Sequence, residues 1–460
     1  MAHTTINENS YPQIAQISQI ISSFPLRSPC LRGLFLKENI MLIGQATKAE
    51  ITTQFANHVS SGKVAFYESA GINFVMGKRE GIYMWDVEGH RLINCHSNGG
   101  VFNLGHRHPR IVSALQTAVS EVDIGNHHLV SEARAQLGAK LAEITPGDIN
   151  HVIFGVSGGE AVDMALKLAR GYTGRQKIIS AHGGYHGHTG LALATGEAIY
   201  REPFGVASAD FVQVPFGDAL ALTEALSDEV AAVIFETVPA TLGIQIPPAD
   251  YFAHVRQLCD QYGVVMIADE VQTGLGRCGE YWGIDVYDVV PDIIVSGKGL
   301  SGGIYPMSAT LYRDHLNEFL HDKPFIHVST CGGAELGCYV TLEVLDLLTA
   351  SDFLPHVRTM AHKFEEGFAY LQNKHPQVIS EARQLGMMMG LKLADPMLGP
   401  MMTVAGIEAG LLIIYANHDT SVIQLLPPLI IEAEQVDEVI GRLDGALTAV
   451  SQMLQAVKPS

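Results

Sequence analysis

Between residues 150 and 300 the chain repeats one pattern: a short unbroken apolar run, a polar or glycine-bearing tip, then a helical stretch. The runs are Val152-Ile153-Phe154, Ala231-Ala232-Val233-Ile234-Phe235, Val264-Val265-Met266-Ile267-Ala268 and Ile293-Ile294-Val295, with amphipathic helices around Ala161 to Arg170 and Tyr251 to Tyr262. A strand apolar on both sides must be covered on both faces, and helices between successive strands supply that cover. The expected core is therefore an α/β unit around a mostly parallel sheet. Residues 1–75 lack β alternation and carry Ile14, Ile17, Ile20 and Ile21 at loose helical spacing, which predicts an N-terminal helical arm. The stretch 82–94 predicts a hairpin, with Trp85 and Val87 alternating with Asp86 and Glu88 before a turn at Gly89. Beyond about 345, helices and a shorter α+β segment punctuated by Gly386, Gly390 and Pro427-Pro428 predict a smaller C-terminal domain. The expected division is an arm over 1–75, a large domain over 76–345 and a small domain over 346–460.

Composition narrows the function. Twenty-nine Lys and Arg against 48 Asp and Glu give a net charge of −19. Such a chain repels phosphate backbones and anionic lipid, so neither nucleic acid nor a membrane surface is an expected partner. No apolar run reaches the ~18 residues of a membrane span, and the first residues show no basic segment followed by an apolar one. Six cysteines without a C-x-x-C pair predict free thiols in a reducing cytoplasm. No H-E-x-x-H or His/Cys cluster points to a metal.

Ligands of open parallel sheets bind beyond the carboxyl ends of the strands, so the residues at the tips carry the functional information. After the run ending at Val156 come Ser157-Gly158-Gly159 and a helix start: a close-approach turn with free N–H groups, suited to an anion such as phosphate. Taken alone, a turn that needs glycine explains it equally well. Asp269 ends a wholly apolar strand and must find a partner there; a helix cap or structural ion pair would satisfy it. Lys298, in Ser296-Gly297-Lys298-Gly299, stands at the tip of another. A half-buried lysine is a nucleophile toward carbonyl carbon, although a turn on the surface also accommodates lysine. Together the three match the needs of pyridoxal 5′-phosphate (PLP): a cradle for phosphate, a carboxylate for the ring nitrogen and a lysine for the aldehyde. Tyr185, in Tyr185-His186-Gly187, could stack on the ring or simply pack in the core.

These segments resemble the class III, ω- or ornithine-type, aminotransferases of fold type I, over roughly residues 75 to 445. The most specific pieces are Ile267-Ala268-Asp269-Glu270-Val271-Gln272-Thr273-Gly274 and Ser296-Gly297-Lys298-Gly299-Leu300-Ser301-Gly302-Gly303. Asn103-Leu104-Gly105-His106-Arg107-His108-Pro109, Tyr185-His186-Gly187 and His327-Val328-Ser329-Thr330-Cys331-Gly332-Gly333 also match, and the long arm looks most like the putrescine-type enzymes. The resemblance implies a PLP-dependent transfer of an amino group between an amine or amino acid and an oxo acid or aldehyde. Lys298 would be the Schiff-base lysine and proton shuttle. Asp269 would pair with the pyridine nitrogen, and Gln272 would lie near the phenolic oxygen. Ser157, Gly158 and Gly159 would bind phosphate, Tyr185 would stack on the ring, and Glu236 would be an acid near the cofactor. Thr330 would reach the phosphate of a partner subunit, since family members are homodimers with shared sites.

Three positions depart from the family pattern. Gly159 stands where Ser or Thr is usual. Gln424 replaces the carboxylate-binding arginine before Pro427-Pro428, and Thr241 replaces the glutamate that partners it. Removing one half of a buried charge pair costs several kcal/mol, roughly 3–5, whereas replacing both halves is nearly neutral. The joint change therefore reads as an altered substrate site. It leaves three options: another basic residue holds the oxo acid, neutral donors do, or the substrate lacks a carboxylate there. A racemase, epimerase, aminomutase or decarboxylase on the same cofactor is the alternative it opens.

Overall fold

A computed structural model describes Gly44 and residues 46–206 and 208–457. Of the arm expected over 1–75, residues 1–43 and 45 lie outside the described ones, the isoleucines at 14 to 21 among them. Two helices, Lys48–His58 and Ser61–Ser69, are described. Thr47 opens the first with a capping box to Glu50, and Ser60 caps the second. Neither buries a residue, and Phe55, Val59, Phe66 and Tyr67 are exposed.

Next come β1 (Met76–Glu80), β2 (Tyr83–Asp86) and β3 (Arg91–Asn94), with Met84 opposite Leu92 in the hairpin. Polarity alone does not tell which of its residues face inward. Asp86 is buried and Val87 exposed. Apolarity misleads here because Asp86 is fully bonded: Lys48 Nζ at 3.0 Å, His90 Nδ1 at 2.9 Å, and the Glu88 and His90 N–H groups at 2.9 and 2.8 Å. Burial pushes its carboxyl up, and these partners more than reverse the effect, holding it well below the usual carboxylate range. Asp86, Glu88 and His90 form the one cluster of metal-ligating atoms among the described residues; the Lys48 ammonium already bridges its two carboxylates.

The large sheet contains β4 (Ile149–Gly155), β5 (Lys177–Ala181), β6 (Phe211–Val214), β7 (Val230–Glu236), β8 (Val265–Asp269), β9 (Ile293–Ser296) and β10 (Ser308–Arg313). Its order is β4-β10-β9-β8-β7-β5-β6, and every pairing is parallel except the two made by β10. Every residue of β7, β8 and β9 is buried, as the apolar runs predict. Ile234, Ile267 and Val295 pack on the helix Gly158–Thr173, whose inward side is rich in small residues such as Ala161, Ala165 and Ala169. Val233, Phe235, Met266 and Ile294 pack on the opposite face, with Leu137, Phe252 and Val344 from three further helices.

The C-terminal part builds an antiparallel sheet from β11 (Ile379–Leu385), β12 (Met388–Leu393), β14 (Ile414–Tyr415) and β15 (Val422–Leu425); β13 (Leu411–Leu412) instead pairs in parallel with β3. The hairpin therefore shares a core with the helices Phe353–Lys374 and Ala433–Val457. Arg277 fastens the parts together: fully buried, it donates to the carbonyls of Met387 (3.1 Å) and Pro427 (2.7 Å) and to Asn103 Oδ1 (2.7 Å). No described helix is long and apolar enough to cross a membrane.

Candidate active site

The carboxyl ends of β4, β5, β7, β8 and β9 open on one edge of the large sheet, and β10 begins there. The parallel register sets Glu236 beside Asp269, each the last residue of its strand. Past β9 the chain makes a tight turn in which Lys298 takes a positive φ of 42°, a conformation that costs about 1 kcal/mol or more for a non-glycine residue. The turn leaves its ε-amine 3.3 Å from Gln272 Oε1. Residues Ser97 to Gly100, all at positive φ, pass over it: a β-carbon at Gly99 would stand 3.3 Å from Lys298 Cε.

Asp269 Oδ2 meets His186 Nδ1 at 2.7 Å, both buried, and Oδ1 accepts the Val271 N–H at 3.1 Å. Burial pulls the His186 imidazole down, but its bond to Asp269 and the charges of Asp269 and Glu236 outweigh this and raise it. Glu236 accepts the Tyr185 N–H at 2.9 Å. Burial pushes its carboxyl up to about 7, with His186 opposing and Asp269 adding to the rise. Burial lowers the Lys298 amine, against the pull of Glu236 and Asp269. That favours the unprotonated, nucleophilic form.

Ser157 caps the helix Gly158–Thr173, its Oγ accepting the Glu160 N–H at 3.3 Å. Backbones converge closely around the cap. A β-carbon at Gly187 would lie 2.8 Å from Gly159 Cα, and one at Gly297 would lie 3.5 Å from Gly158 Cα. Only glycine admits the first of these contacts, and the helix N-terminus at this turn is of the kind that suits an anion.

The class III aminotransferase pattern matches residues 66–447. An uncharacterized aminotransferase from Archaeoglobus fulgidus is 52% identical over 415 residues, covering 90% of this chain and 98% of that one. The chain is a class III aminotransferase. Solved structures agree. A transaminase from the marine bacterium Virgibacillus superimposes with a TM-score of 0.83 at 27% identity, over 88% of this chain and 99% of its own. The ornithine aminotransferase of Toxoplasma gondii gives 0.82 at 26% over 89% and 96%. An (S)-enantioselective ω-transaminase from Thermomicrobium roseum gives 0.80 at 27% over 88% and 99%.

Members of this family use PLP, and so does this aminotransferase. Its tip residues fit that group. A glycine-walled helix start suits phosphate, a buried carboxylate locked to an imidazole suits a protonated ring nitrogen, and a half-buried amine suits an aldehyde. The expectation that Tyr185 could be ordinary core does not hold, because the residue is 39% exposed.

The departures also have a location. Where a β-carbon at position 159 would stand, Thr189 Oγ1 lies 2.8 Å away. A hydroxyl from the next loop thus approaches the place that a serine or threonine would have served. Thr241 donates to the Gly183 carbonyl at 2.8 Å. Gln424, 7% exposed, shares a face of β15 with Val422, whose methyl packs on Gly243, so both substitutions fall on facing segments. Thr330 is exposed, in the loop that packs on Phe154 of β4. Sequence reasoning assigned no role to His186, Thr189 or Ser97 to Gly100. His186 lay inside a quoted motif, and the run Ser97-Asn98-Gly99-Gly100 was a readable turn signal.

Proposed function

We propose that Lys298 is the reacting lysine of this aminotransferase, which passes an amino group from an amine or amino acid to an oxo acid or aldehyde. The observation that carries this assignment is the placement of its half-buried ε-amine 3.3 Å from Gln272 Oε1, beside the strand ends that bear Asp269 and Glu236. Nζ would hold the cofactor through its aldehyde carbon, and as a free amine it would accept the proton of the substrate carbon and return it. The lowered basicity of the buried amine suits both duties. Asp269, oriented by His186, holds the proton of the ring nitrogen. The bound cofactor supplies an electron sink for the charge left when that carbon loses its proton. Ser157, Gly158 and Gly159 would take the phosphate with the Thr189 hydroxyl. Tyr185 would cover one ring face, Gln272 would lie near the phenolic oxygen, and Glu236 fixes the Tyr185 backbone. Thr241 and Gln424 line the substrate side.

We further read the protein as a cytoplasmic homodimer in which Thr330 reaches the partner's phosphate. Leu129, Val130 (fully exposed), Phe325, Ile326 and Val328 support this, as an apolar patch on two adjoining loops with His128 and Phe325 rings 5.6 Å apart. The arm helices, which bury nothing within the chain, support it too. Five described cysteines are free, as a reducing compartment would have them.

The test is borohydride reduction of PLP-loaded protein followed by peptide mass mapping. The label should fall on Lys298, and Lys298→Ala should take none and transfer no amino group. A label on any other lysine, or none at all, sinks the assignment.

A further inference from the structure

The corner around position 241 has lost the family's charge pair, and Arg383 does not replace it. That guanidinium reaches the corner through the Gly243 carbonyl (2.8 Å) but is held by Glu381 at 2.9 Å and lies 3.9 Å from Asp419. The loop after β14 brings a different group. His418 donates its backbone N–H to the Thr241 carbonyl at 2.9 Å, and its Cβ lies 3.6 Å from where a β-carbon on Gly183 would stand. Its ring meets Tyr200 edge-on at 6.0 Å, Tyr200 meets His188 edge-on at 5.4 Å, and His188 meets Tyr185 at 5.3 Å. Two imidazoles and two phenols thus form one row from the ring that covers the cofactor to the corner that lost its charges. His188 and His418 are both exposed.

An aminotransferase uses one pocket for two partners in turn. The amine needs no cation there, and the oxo acid does. A guanidinium is permanently charged, so it needs a mobile acid to neutralise it when the amine is bound. An imidazole can take up or release a proton between pH 5 and 8 instead. Resting on the assignment of Lys298 above, we propose that His418, backed by Tyr200 and His188, is the specificity-determining residue for the acceptor: it takes a proton from water when a 2-oxo acid binds and returns it when that acid leaves. The Gln424 amide adds neutral donors on the facing strand. The charged and titratable groups around His418 are Tyr200 and, beyond it, His188; Asp419, next in the chain and 3.8 Å from Lys392; Arg383; and Glu197, which accepts the Gly183 N–H.

The experiment uses the holoenzyme with 1,4-diaminobutane as donor and compares KM for pyruvate with KM for butanal, which has no carboxylate, from pH 6 to 8.5. The ratio of the two cancels effects on the cofactor. It should rise as the pH is raised. In His418→Gln it should be flat and about tenfold higher at pH 6.5, the loss of one charged hydrogen bond. His418→Lys should keep it low at every pH. Circular dichroism checks that the variants fold; if one does not, uptake of about one proton per pyruvate bound by the unmodified enzyme, read with a pH dye, decides. A ratio in the unmodified enzyme that ignores pH, a His418→Gln ratio equal to it, or use of butanal with neither pyruvate nor 2-oxoglutarate accepted would each overturn the proposal. Failure of the underlying assignment shows differently: no transfer even to butanal, and no reduced label on Lys298.

Discussion

Glu236 offers a stability experiment whose size and sign follow from its surroundings. Burial raises its carboxyl from the ordinary 4.5 to about 7. A raised folded-state value means that the folded chain keeps its proton longer than the unfolded chain. The group's contribution is therefore intact below about pH 4.5 and is lost as pH climbs through about 7. At ~1.4 kcal/mol per pH unit of separation, the full loss is about 3 kcal/mol. Of this, about 2 kcal/mol falls between pH 5.5 and 8.5, because ionisation of the unfolded chain is already under way at the lower pH. Glu236→Gln keeps an oxygen for the Tyr185 N–H and abolishes the titration. Urea unfolding of cofactor-free protein should show the unmodified chain losing about 2 kcal/mol more than the variant between those pH values. Parallel pH profiles, within about 0.5 kcal/mol, would falsify the claim that this carboxyl is buried without enough compensation.

Three further outcomes are expected. Thr189→Ala should weaken PLP binding about tenfold by equilibrium dialysis, and Gly159→Ser/Thr189→Ala should recover most of it by returning the hydroxyl from the other side; unchanged affinity in the single variant refutes the replacement. Arg277→Met strands the Pro427 and Met387 carbonyls and Asn103, and should cost about 3–5 kcal/mol in urea unfolding; a loss below 1 kcal/mol would show that the fastening is dispensable. Leu129→Asp/Val130→Asp should turn a dimer into monomers in sedimentation velocity, and a dimer that survives it places the interface elsewhere.

The sheet was legible because a parallel strand covered on both faces has to be apolar throughout, as Val230 to Phe235 and Val265 to Ala268 are. Lys298 and Asp269 were legible as the polar exceptions at the ends of such runs. Other features depend on spatial neighbours that no local pattern reveals. Asp86 looks like the outward residue of a hairpin until Lys48, 38 positions earlier, supplies its counter-charge. His186 lies 83 residues before the carboxylate it orients. The placement of β10 follows from strand order, and Ser308 to Arg313 reads like any short strand.

That placement has a consequence. Since β10 runs against its neighbours and starts at the busy edge, it sends no loop of its own outward there. The outgoing turns of β4 and β9 flank its first residue and approach each other, so that a β-carbon at Gly297 would stand 3.5 Å from Gly158 Cα. On the proposed assignment, the turn that would hold the anion and the turn that would present the amine are therefore neighbours, although more than a hundred residues separate them. A coenzyme held by both turns would tie together β4 and β9, which no hydrogen-bonded ladder joins directly.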